Sequence, residues 1–475
     1  MNPSIYSKFK TNDLFVTDSG ETTKYSRVLE VAESKEFQNT HRKLVFCFCE
    51  NKPESILGYL ALLACNAVPL VLSPTISDKH LKELFQIYSP NFIFAPSVRF
   101  VDLGSLKSFF FISEYALTRV DSISNYSINS SLALLISTSG STGSPKFIRL
   151  SRENIMANAE AISQYLAINQ HDKPITTLPA SYTYGLSIIH SHILNGATIA
   201  LTSKTFFDAG FWSFLKEVKA TSFGGVPYHY EILKKLRFEN FELPSLKILT
   251  QAGGRMSSDA TREFAVSCHR KGIQFVTMYG QAEATARMSY LVHDDLASKA
   301  GSIGGAIPGG KLWIVDEKGD KILSPNHPGE LMYSGNNVCL GYADNQSDLA
   351  LGDEFKGLLM TGDIAYFDVD GYFFITGRKK RFLKIFGHRL NLQDLENYLC
   401  SSGFITVCAG RDDLIEVYIE NINESSRLEI KNKIALEYRI SSKAIQVISI
   451  SEFPRNETGK ILYSQLQSKL IDALL

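Results

Sequence analysis

The sequence predicts an α/β protein with a large N-terminal domain of stacked α/β subdomains plus a β-rich subdomain, and a small, mobile α+β C-terminal domain. Through most of the first 300 residues, short apolar runs alternate with helical patterns, which indicates parallel strands joined by crossover helices. From Gly301 the strands become shorter and are separated by Gly, Pro and Asp turns. The length of 475 residues exceeds the size at which one core stops growing, so at least two domains are expected.

The first predicted elements follow one another closely. A buried strand is expected over residues 43–50, a helix over 55–67 and a second strand over 67–73. The helix at 80–89 and the strand at 91–96 repeat the pattern. Further strands are predicted at 176–180, 197–203, 221–227, 246–254 and 273–280. Several of these end in Gly-rich or polar turns, where open parallel sheets place their ligands.

A basic, glycine-flanked segment at residues 377–389 has no room for a buried helix and is interpreted as a linker. We therefore predict an N-terminal domain over 1–379 and a C-terminal domain over 380–475. The second domain has helical patterns of its own and strands such as 415–420 and 444–450, enough for a small satellite domain.

The charge balance excludes some function classes. Lys and Arg together number 49, as do Asp and Glu, so no global field favours nucleic acid or an anionic membrane, and a small-molecule ligand is expected. The N-terminus lacks the apolar run of a signal peptide, and no stretch approaches the length of a membrane span. A soluble, cytoplasmic protein is the resulting prediction. The seven cysteines include no CxxC pair and are interpreted as reduced packing residues.

The strongest local signal is a loop of glycines and hydroxyl residues between two apolar strands. It consists of Thr138, Ser139, Gly140, Ser141, Thr142 and Gly143, followed by Ser144, Pro145 and Lys146. Such a loop offers backbone N–H groups and hydroxyls to a polyphosphate, and Lys146 adds a positive charge. It is not a Walker loop, because the Lys does not follow a Gly and Pro145 argues against an immediate helix.

This loop resembles that of the adenylate-forming superfamily, which includes acyl-CoA synthetases, firefly luciferase and the adenylation domains of peptide synthetases. In that family the loop holds the β- and γ-phosphates of ATP. The resemblance covers nearly the whole chain, and further motifs follow in the expected order. It implies ATP and Mg²⁺ as cofactors.

The segment Tyr279–Thr285 resembles the family motif YGxTE and follows a predicted strand. By this resemblance Tyr279, with Gly280 beside it, stacks on the adenine, and Glu283 helps to hold Mg²⁺. The usual Thr before the Glu is Ala282, so a hydroxyl expected near the α-phosphate is missing.

Three further positions are implied to contact the nucleotide. Gly253 and Gly254 end a predicted strand and resemble the loop beside the adenine, where glycines let the backbone approach a flat ring. Asp363, in a Thr-Gly-Asp motif, accepts hydrogen bonds from the ribose hydroxyls in the family, and a carboxylate suits a diol because it offers only acceptors. Arg378 would contact the same nucleotide.

The C-terminal part carries the residues that the resemblance assigns to catalysis and domain movement. Residues 454–460 resemble the signature that ends these enzymes, and its Lys460 would neutralise charge on the attacking carboxylate and the α-phosphate. Lys380 takes the hinge position and Gly387 the loop that lines a thiol tunnel.

The acyl pocket is expected to involve Tyr182, Tyr184 and Gly185, with Gly225 from a second segment. Amino-acid-activating relatives place an Asp near the first three, but no acidic residue occurs between Lys173 and Asp208, which disfavours an α-amino acid. The small residues leave space without defining an acyl chain length.

The resulting hypothesis is an AMP-forming acid–thiol ligase that activates a small carboxylic acid as acyl-AMP and transfers it to coenzyme A or to the phosphopantetheine arm of an acyl carrier protein. Two alternatives remain open. One is an adenylase with an amine acceptor. The other is a catalytically inactive nucleotide-binding homologue, which is suggested by the departure from the family motif at Ala282.

Overall fold

The computed structural model describes residues 2–100, 108–120, 126–137, 146–386, 388–455, 461–463 and 465–466. The chain divides into two compact units, unit 1 with residues 1–311 and 333–359, and unit 2 with residues 312–332 and 360–475. Residues 312–332 and 360–379, which the sequence placed in the N-terminal domain, thus group with unit 2. A hinge at Lys380 stays a prediction.

The described strands, in chain order, are β1 (Asp13–Thr17), β2 (Thr22–Lys24), β3 (Leu44–Phe48), β4 (Val68–Leu72), β5 (Phe92–Pro96), β6 (Ser108–Ile112), β7 (Tyr115–Arg119), β8 (Leu132–Ser137), β9 (Phe147–Ser151), β10 (Ile199–Leu201), β11 (Ser222–Gly225), β12 (Ile248–Gln251), β13 (Gln274–Tyr279), β14 (Ser289–Leu291), β15 (Gly305–Ala306), β16 (Lys311–Val315), β17 (Gly329–Ser334), β18 (Gly341–Ala343), β19 (Leu358–Phe367), β20 (Phe373–Arg378), β21 (Phe382–Ile385), β22 (His388–Asn391), β23 (Thr406–Arg411), β24 (Leu414–Glu420) and β25 (Ile445–Ile450).

The described α-helices are α1 (Pro3–Lys8), α2 (Ser26–Ala32), α3 (Lys35–Gln38), α4 (Pro53–Ala64), α5 (Asp78–Tyr88), α6 (Arg152–Tyr165), α7 (Thr183–Leu194), α8 (Ala209–Glu217), α9 (Pro227–Lys235), α10 (Ser258–Arg270), α11 (His293–Leu296), α12 (Leu392–Ser401) and α13 (Glu424–Glu437). Within the described ranges, no helix is long and apolar enough to cross a lipid bilayer.

The largest sheet of unit 1 has the strand order β18-β9-β8-β4-β3-β5-β7-β6. Strand β3 pairs in parallel with β4 and β5, and β4 pairs in parallel with β8. Every residue of β3 and β4 is buried, as expected for strands covered on both faces. The predicted alternation of parallel strands and crossover helices is therefore confirmed here.

A second sheet of unit 1 has the order β11-β12-β13-β14-β15. Strands β11, β12 and β13 are parallel and in register, with Gly225 opposite Gln251 and Gln251 opposite Thr277. Their carboxyl ends therefore lie at one edge, which is where ligands bind in such sheets. A third, smaller sheet has the order β10-β1-β2.

The predicted strand at 176–180 was wrong. Only isolated bridges form nearby, at Pro174 and Ile175. The side chain of Asn51 takes the place of a neighbouring strand, since it donates to Leu178 O at 3.0 Å and accepts from the N–H of Ala180 at 3.0 Å. One amide side chain thus satisfies backbone groups that a ladder would otherwise pair.

Unit 2 contains a sheet of order β16-β17-β19-β20 and another of order β23-β24-β25. Helices α12 and α13 pack with the second sheet in a core that includes Leu395, Leu399, Ile430 and Ile434. The predicted linker at 377–389 was wrong in part, because β21 and β22 form an antiparallel hairpin there. Leu383 and Ile385, two residues apart in β21, both point into the core of unit 2. The linker interpretation overlooked this alternation, which is typical of a strand.

All seven cysteines are free thiols, and all except Cys400 are buried. Their interpretation as packing residues is confirmed for the six buried ones, and their reduced state stays a prediction.

Arg149 of β9 is fully buried and joins β9 to the chain around β18. Its guanidinium donates to Tyr342 O at 2.9 Å and to Gly352 O at 3.0 Å, and it pairs with Glu354. A charged group held by several carbonyls and one carboxylate is satisfied. Removal of the cation would take the donor away from the carbonyls, whereas the half-exposed Glu354 carboxylate could be hydrated instead.

We expect Arg149→Met to lower the stability of unit 1 by about 1–3 kcal/mol, because buried backbone carbonyls lose their donor while the half-exposed Glu354 stays hydrated. Arg262→Met is the matched control, because Arg262 forms an exposed pair with Asp259 and its loss should change stability by less than about 1 kcal/mol. Thermal and urea unfolding midpoints measure both, and equal small shifts would contradict the structural role of Arg149.

Candidate functional site

The predicted phosphate loop, with Thr138, Ser139, Gly140, Ser141, Thr142 and Gly143, lies outside the described residues, but the strands on both sides of it are described. Strand β8 ends at Ser137 and β9 begins at Phe147, and these two residues are opposite each other in an antiparallel pair. The two points from which the loop departs are therefore adjacent, with Lys146 at one of them.

Lys146 faces a tyrosine that the sequence analysis missed. The ammonium of Lys146 lies 3.8 Å from the ring centroid of Tyr342, a cation–π distance. Tyr342 of β18 is opposite Ile148 of β9, and Lys146 precedes Ile148 by two residues, so both side chains lie on the same face of the sheet. The strand pairing thus places the ring under the cation.

The same tyrosine contacts the predicted magnesium ligand. The hydroxyl of Tyr342 donates to Glu283 Oε1 at 2.9 Å. Burial raises the pKa of Tyr342, and the neighbouring Glu283 carboxylate raises it further, so the phenol stays protonated and acts as the donor. Lys146, Tyr342 and Glu283 therefore form one array, in which a phenol lies between a positive and a negative group.

Glu283 lies in a short 3₁₀ turn over Ala282–Ala284, at the end of β13. The N–H of Cys339 donates to Glu283 O at 2.8 Å, and Thr285, which has a left-handed backbone, donates to Asn337 O at 2.7 Å. These bonds fix the turn on the segment that leads to β18. A side chain at Gly280 would collide with Ala286 O, so the motif requires glycine there.

Tyr279 ends β13, and its hydroxyl accepts from Gln281 Nε2 at 3.2 Å. Ala282, where the family has Thr, is buried among the apolar residues of the largest core of unit 1. Its methyl group packs there, and no hydroxyl is available at this position. The assignment of Tyr279 to the adenine stays a prediction.

Gly253 and Gly254 follow β12. Gly253 has φ +80°, and an added Cβ would lie 2.7 Å from the hydroxyl of Tyr182, so the backbone here passes close to the predicted aromatic gate. At Gly254 an added Cβ would lie 3.1 Å from Pro227. The structure therefore brings the predicted adenine loop and the predicted acyl gate together within unit 1.

The other predicted acyl-pocket residues lie close by. Tyr184 is buried on α7, and its hydroxyl contacts Thr250 Oγ1 at 2.8 Å. A side chain at Gly185 would collide with Pro179 O, and at Gly225 it would approach Tyr230 to 2.9 Å. Both glycines thus permit close packing of the pocket wall.

Unit 2 brings Asp363 and Arg378 together. They are opposite each other in β19 and β20, and Arg378 Nε donates to Asp363 Oδ1 at 3.0 Å. Asp363 is buried, whereas the Arg378 side chain is 57% exposed, and Thr361 Oγ1 accepts from the N–H of Asp363 at 3.1 Å. The two predicted nucleotide contacts therefore form one polar pair.

Of the three residues predicted for catalysis and domain movement, the structure describes only Lys380. Lys380 lies in a 3₁₀ turn over Lys379–Arg381, between a Lys379–Glu330 pair at 2.8 Å and an Arg381–Glu396 pair at 2.6 Å. Gly387 and Lys460 lie outside the described residues. Arg455 and Ile461 form an antiparallel bridge, so the chain on the two sides of 456–460 is close together.

Sequence reasoning missed Tyr342, Asn337 and the buried Arg287. Tyr342 stands in a Gly-Tyr pair that resembles an ordinary turn, and nothing local marks its partners. Arg287 had one available signal, because a cation four residues after Glu283 in an otherwise uncharged stretch is unusual for a surface position.

We expect Tyr342→Phe to raise the KM for Mg·ATP about tenfold, because the ring under Lys146 stays while the charged hydrogen bond to Glu283 is lost. Steady-state pyrophosphate release measures the change. Tyr418→Phe is the control, since the Tyr418 hydroxyl also donates to a glutamate, Glu416 at 2.9 Å, but belongs to unit 2. Unchanged kinetics in Tyr342→Phe would refute a positioning role for the phenol.

Comparisons with known proteins agree on one family. The model of the AMP-binding enzyme family matches residues 33–343. A 4-coumarate–CoA ligase-like protein of Arabidopsis thaliana is 25% identical over 88% of this chain and 79% of its own length. Indoleacetate–CoA ligase of Aromatoleum aromaticum is 30% identical over 69% of this chain and 65% of its own length.

Among solved structures, o-succinylbenzoate CoA synthetase (MenE) from Bacillus subtilis, in complex with its acyl-adenylate intermediate, superposes with a TM-score of 0.78. It is 18% identical, and the match covers 98% of both chains. The same synthetase has been solved with ATP and magnesium ion. At this identity the likeness shows the fold, and it confirms the predicted α/β class with its large N-terminal and small C-terminal parts.

Proposed function

The chain belongs to the AMP-binding enzyme family and is an acyl-CoA synthetase-like member of the adenylate-forming superfamily, and on this premise we propose that it activates a carboxylic acid as acyl-AMP and transfers the acyl group to a thiol. The observation that supports this most directly is the array of Lys146, Tyr342 and Glu283 beside the two ends of the predicted phosphate loop.

The residues of this array fit ATP with Mg²⁺. Mg²⁺ keeps several waters and is usually held by one or two carboxylates together with substrate phosphates. A single half-buried carboxylate, that of Glu283, would therefore be enough to hold the ion together with the phosphates. When bound, the ion neutralises phosphate charge. Lys146 would bind the same phosphates, and Tyr342 keeps the Glu283 carboxylate in place.

In the first step the acid attacks the α-phosphate and pyrophosphate leaves. Lys460 would stabilise the charge that develops on the attacking oxygen and the phosphate. Asp363 would accept hydrogen bonds from the ribose hydroxyls, and Arg378 would contact the nucleotide beside it. The hydrogen bond between these two side chains in unit 2 holds them next to each other for this role. Tyr279, Gly253 and Gly254 would surround the adenine.

In the second step a thiol attacks the adenylate and releases AMP. We propose that rotation about Lys380 removes Lys460 and presents the loop of Gly387, so that one site serves both reactions. Coenzyme A is the acceptor that the names of the relatives favour, and the phosphopantetheine arm of an acyl carrier protein is the other thiol source. The array of Lys146, Tyr342 and Glu283 speaks against an inactive homologue, and no comparison supports an amine acceptor.

The direct test is pyrophosphate release with Mg·ATP and hydroxylamine across short, branched, long-chain, aryl and amino acids, with and without coenzyme A. We expect turnover on one class of acid, acceleration by coenzyme A, and loss of turnover in Glu283→Gln. No release with any acid would overturn the proposed function.

We expect Lys460→Ala to abolish acyl-AMP formation while it largely spares thioester formation from a pre-made adenylate, because the cation is needed only for the first step. Separate assays of the two half-reactions measure this. Lys443→Ala, which alters an exposed lysine of unit 2, should affect neither. Equal loss of both half-reactions would refute the assignment of Lys460.

A further inference from the structure

Arg287 is 1% exposed, in the interior of unit 1. Its Nε donates to Ser187 Oγ at 3.2 Å and its Nη1 to the hydroxyl of Tyr165 at 3.1 Å, with Met278 Sδ at 3.2 Å from the same nitrogen. The guanidinium carbon lies 5.0 Å from the centroid of the Tyr184 ring. Every one of these partners is electrically neutral.

A guanidinium is always protonated, so Arg287 carries a full buried charge. Among the described residues, no carboxylate lies within ion-pair distance of it, and Nη2 makes no hydrogen bond. Arg149, the other fully buried arginine, has Glu354 and several backbone carbonyls as acceptors. A buried cation without a counter-charge is costly, which points to an anion that arrives from outside the protein.

A cavity adjoins Arg287. Its walls are mainly apolar, with Leu166, Ile188, Phe223 and Ile248, and they include Gly224. Gly224 immediately precedes Gly225 of the predicted acyl pocket, and the hydroxyl of Tyr184, another predicted pocket residue, lies 2.9 Å from where its Cβ would be. An apolar cavity with one fixed cation is the usual arrangement for binding the anionic end of an organic molecule.

Two titratable groups, Asp172 and His192, also line the cavity, and each has partners of its own. Asp172 accepts from the N–H of Asn169 at 2.9 Å and lies 3.7 Å from the ammonium of Lys247. His192 donates from Nδ1 to Ile188 O at 2.8 Å, and burial lowers its pKa to about 4, so it is neutral at physiological pH. Of the charged groups at the cavity, Asp172 thus has an ion-pair partner, whereas Arg287 has none among the described residues.

We propose that Arg287 binds a second carboxylate at the far end of the acid substrate, so that the enzyme activates dicarboxylic acids in preference to uncharged analogues of the same length. The inference rests on the proposed function and specifies its substrate class. The reacting carboxylate must meet the phosphates, where Lys146 and Glu283 lie, whereas Arg287 contacts α6 and α7. The two ends of one diacid would thus be bound by different groups.

The test compares diacids with their monomethyl esters, which have nearly the same length and one charge fewer. Succinate, glutarate, adipate and phthalate are each assayed with their ester by pyrophosphate release. We expect at least one diacid to exceed its ester tenfold or more in kcat/KM. Arg287→Met should reduce kcat/KM for that diacid by about ten- to hundredfold, since a charged hydrogen bond is lost, and leave the ester within about threefold.

Tyr165→Phe is the matched control, because it removes a neutral partner of Arg287 and keeps the cation. It should retain the preference for the diacid. Should Arg287→Met fail to fold, Arg287→Lys keeps the charge but changes the donor geometry, and it should raise the KM for the diacid and leave that for the ester nearly unchanged.

Calorimetric titration of the wild-type protein with each diacid in the presence of AMP supplies a readout that does not depend on turnover. Release of pyrophosphate from monoacids or esters without a diacid preference at any length would overturn the inference and leave the proposed function standing. Diacid binding that Arg287→Lys weakens, without turnover of any acid, would support the binding site and overturn the proposed function. Equal losses for diacid and ester in Arg287→Met would reduce Arg287 to a structural residue.

Discussion

The position of β9 between β8 and β18 governs which charged groups meet in unit 1. Its pairing with β8 brings the ends of the predicted phosphate loop together beside Lys146, and its pairing with β18 places Tyr342 under that ammonium. Through Tyr342 the contact extends to Glu283, which another part of the chain supplies. A slip of β18 by one residue would turn Tyr342 to the other face of the sheet and break the connection.

The two fully buried arginines of unit 1 show how the surroundings decide what a cation does. Arg149 lies on β9 itself, where backbone carbonyls and Glu354 accept its hydrogen bonds. It therefore holds β9 and the segment that carries Tyr342 together. Arg287 has only hydroxyl, thioether and aromatic neighbours and adjoins a cavity. The same side chain is internally neutralised in one place and open to an external anion in the other.

Elements whose signal lies within a short stretch of sequence were predicted correctly, whereas elements that depend on distant residues were not. Strands β3, β4 and β12 and helix α4 were found because each is a continuous or periodic apolar run whose burial needs no knowledge of distant residues. The strand expected at 176–180 failed because Asn51, more than a hundred residues away, satisfies that backbone with its side chain. The hairpin of β21 and β22 was missed because basic residues hide its alternating apolar positions.

The candidate site divides in the same way. The family could be inferred from contiguous motifs in the sequence, and for Gly280 the structure shows the reason, because an added side chain would collide with Ala286 O. The link from Lys146 through Tyr342 to Glu283, and the burial of Arg287 without an ion-pair partner beside the predicted acyl pocket, could be seen only in the folded structure. Hydrogen bonds and charge neutralisation depend on distances between side chains that come from remote parts of the chain, and these distances exist only after the sheets and helices have packed.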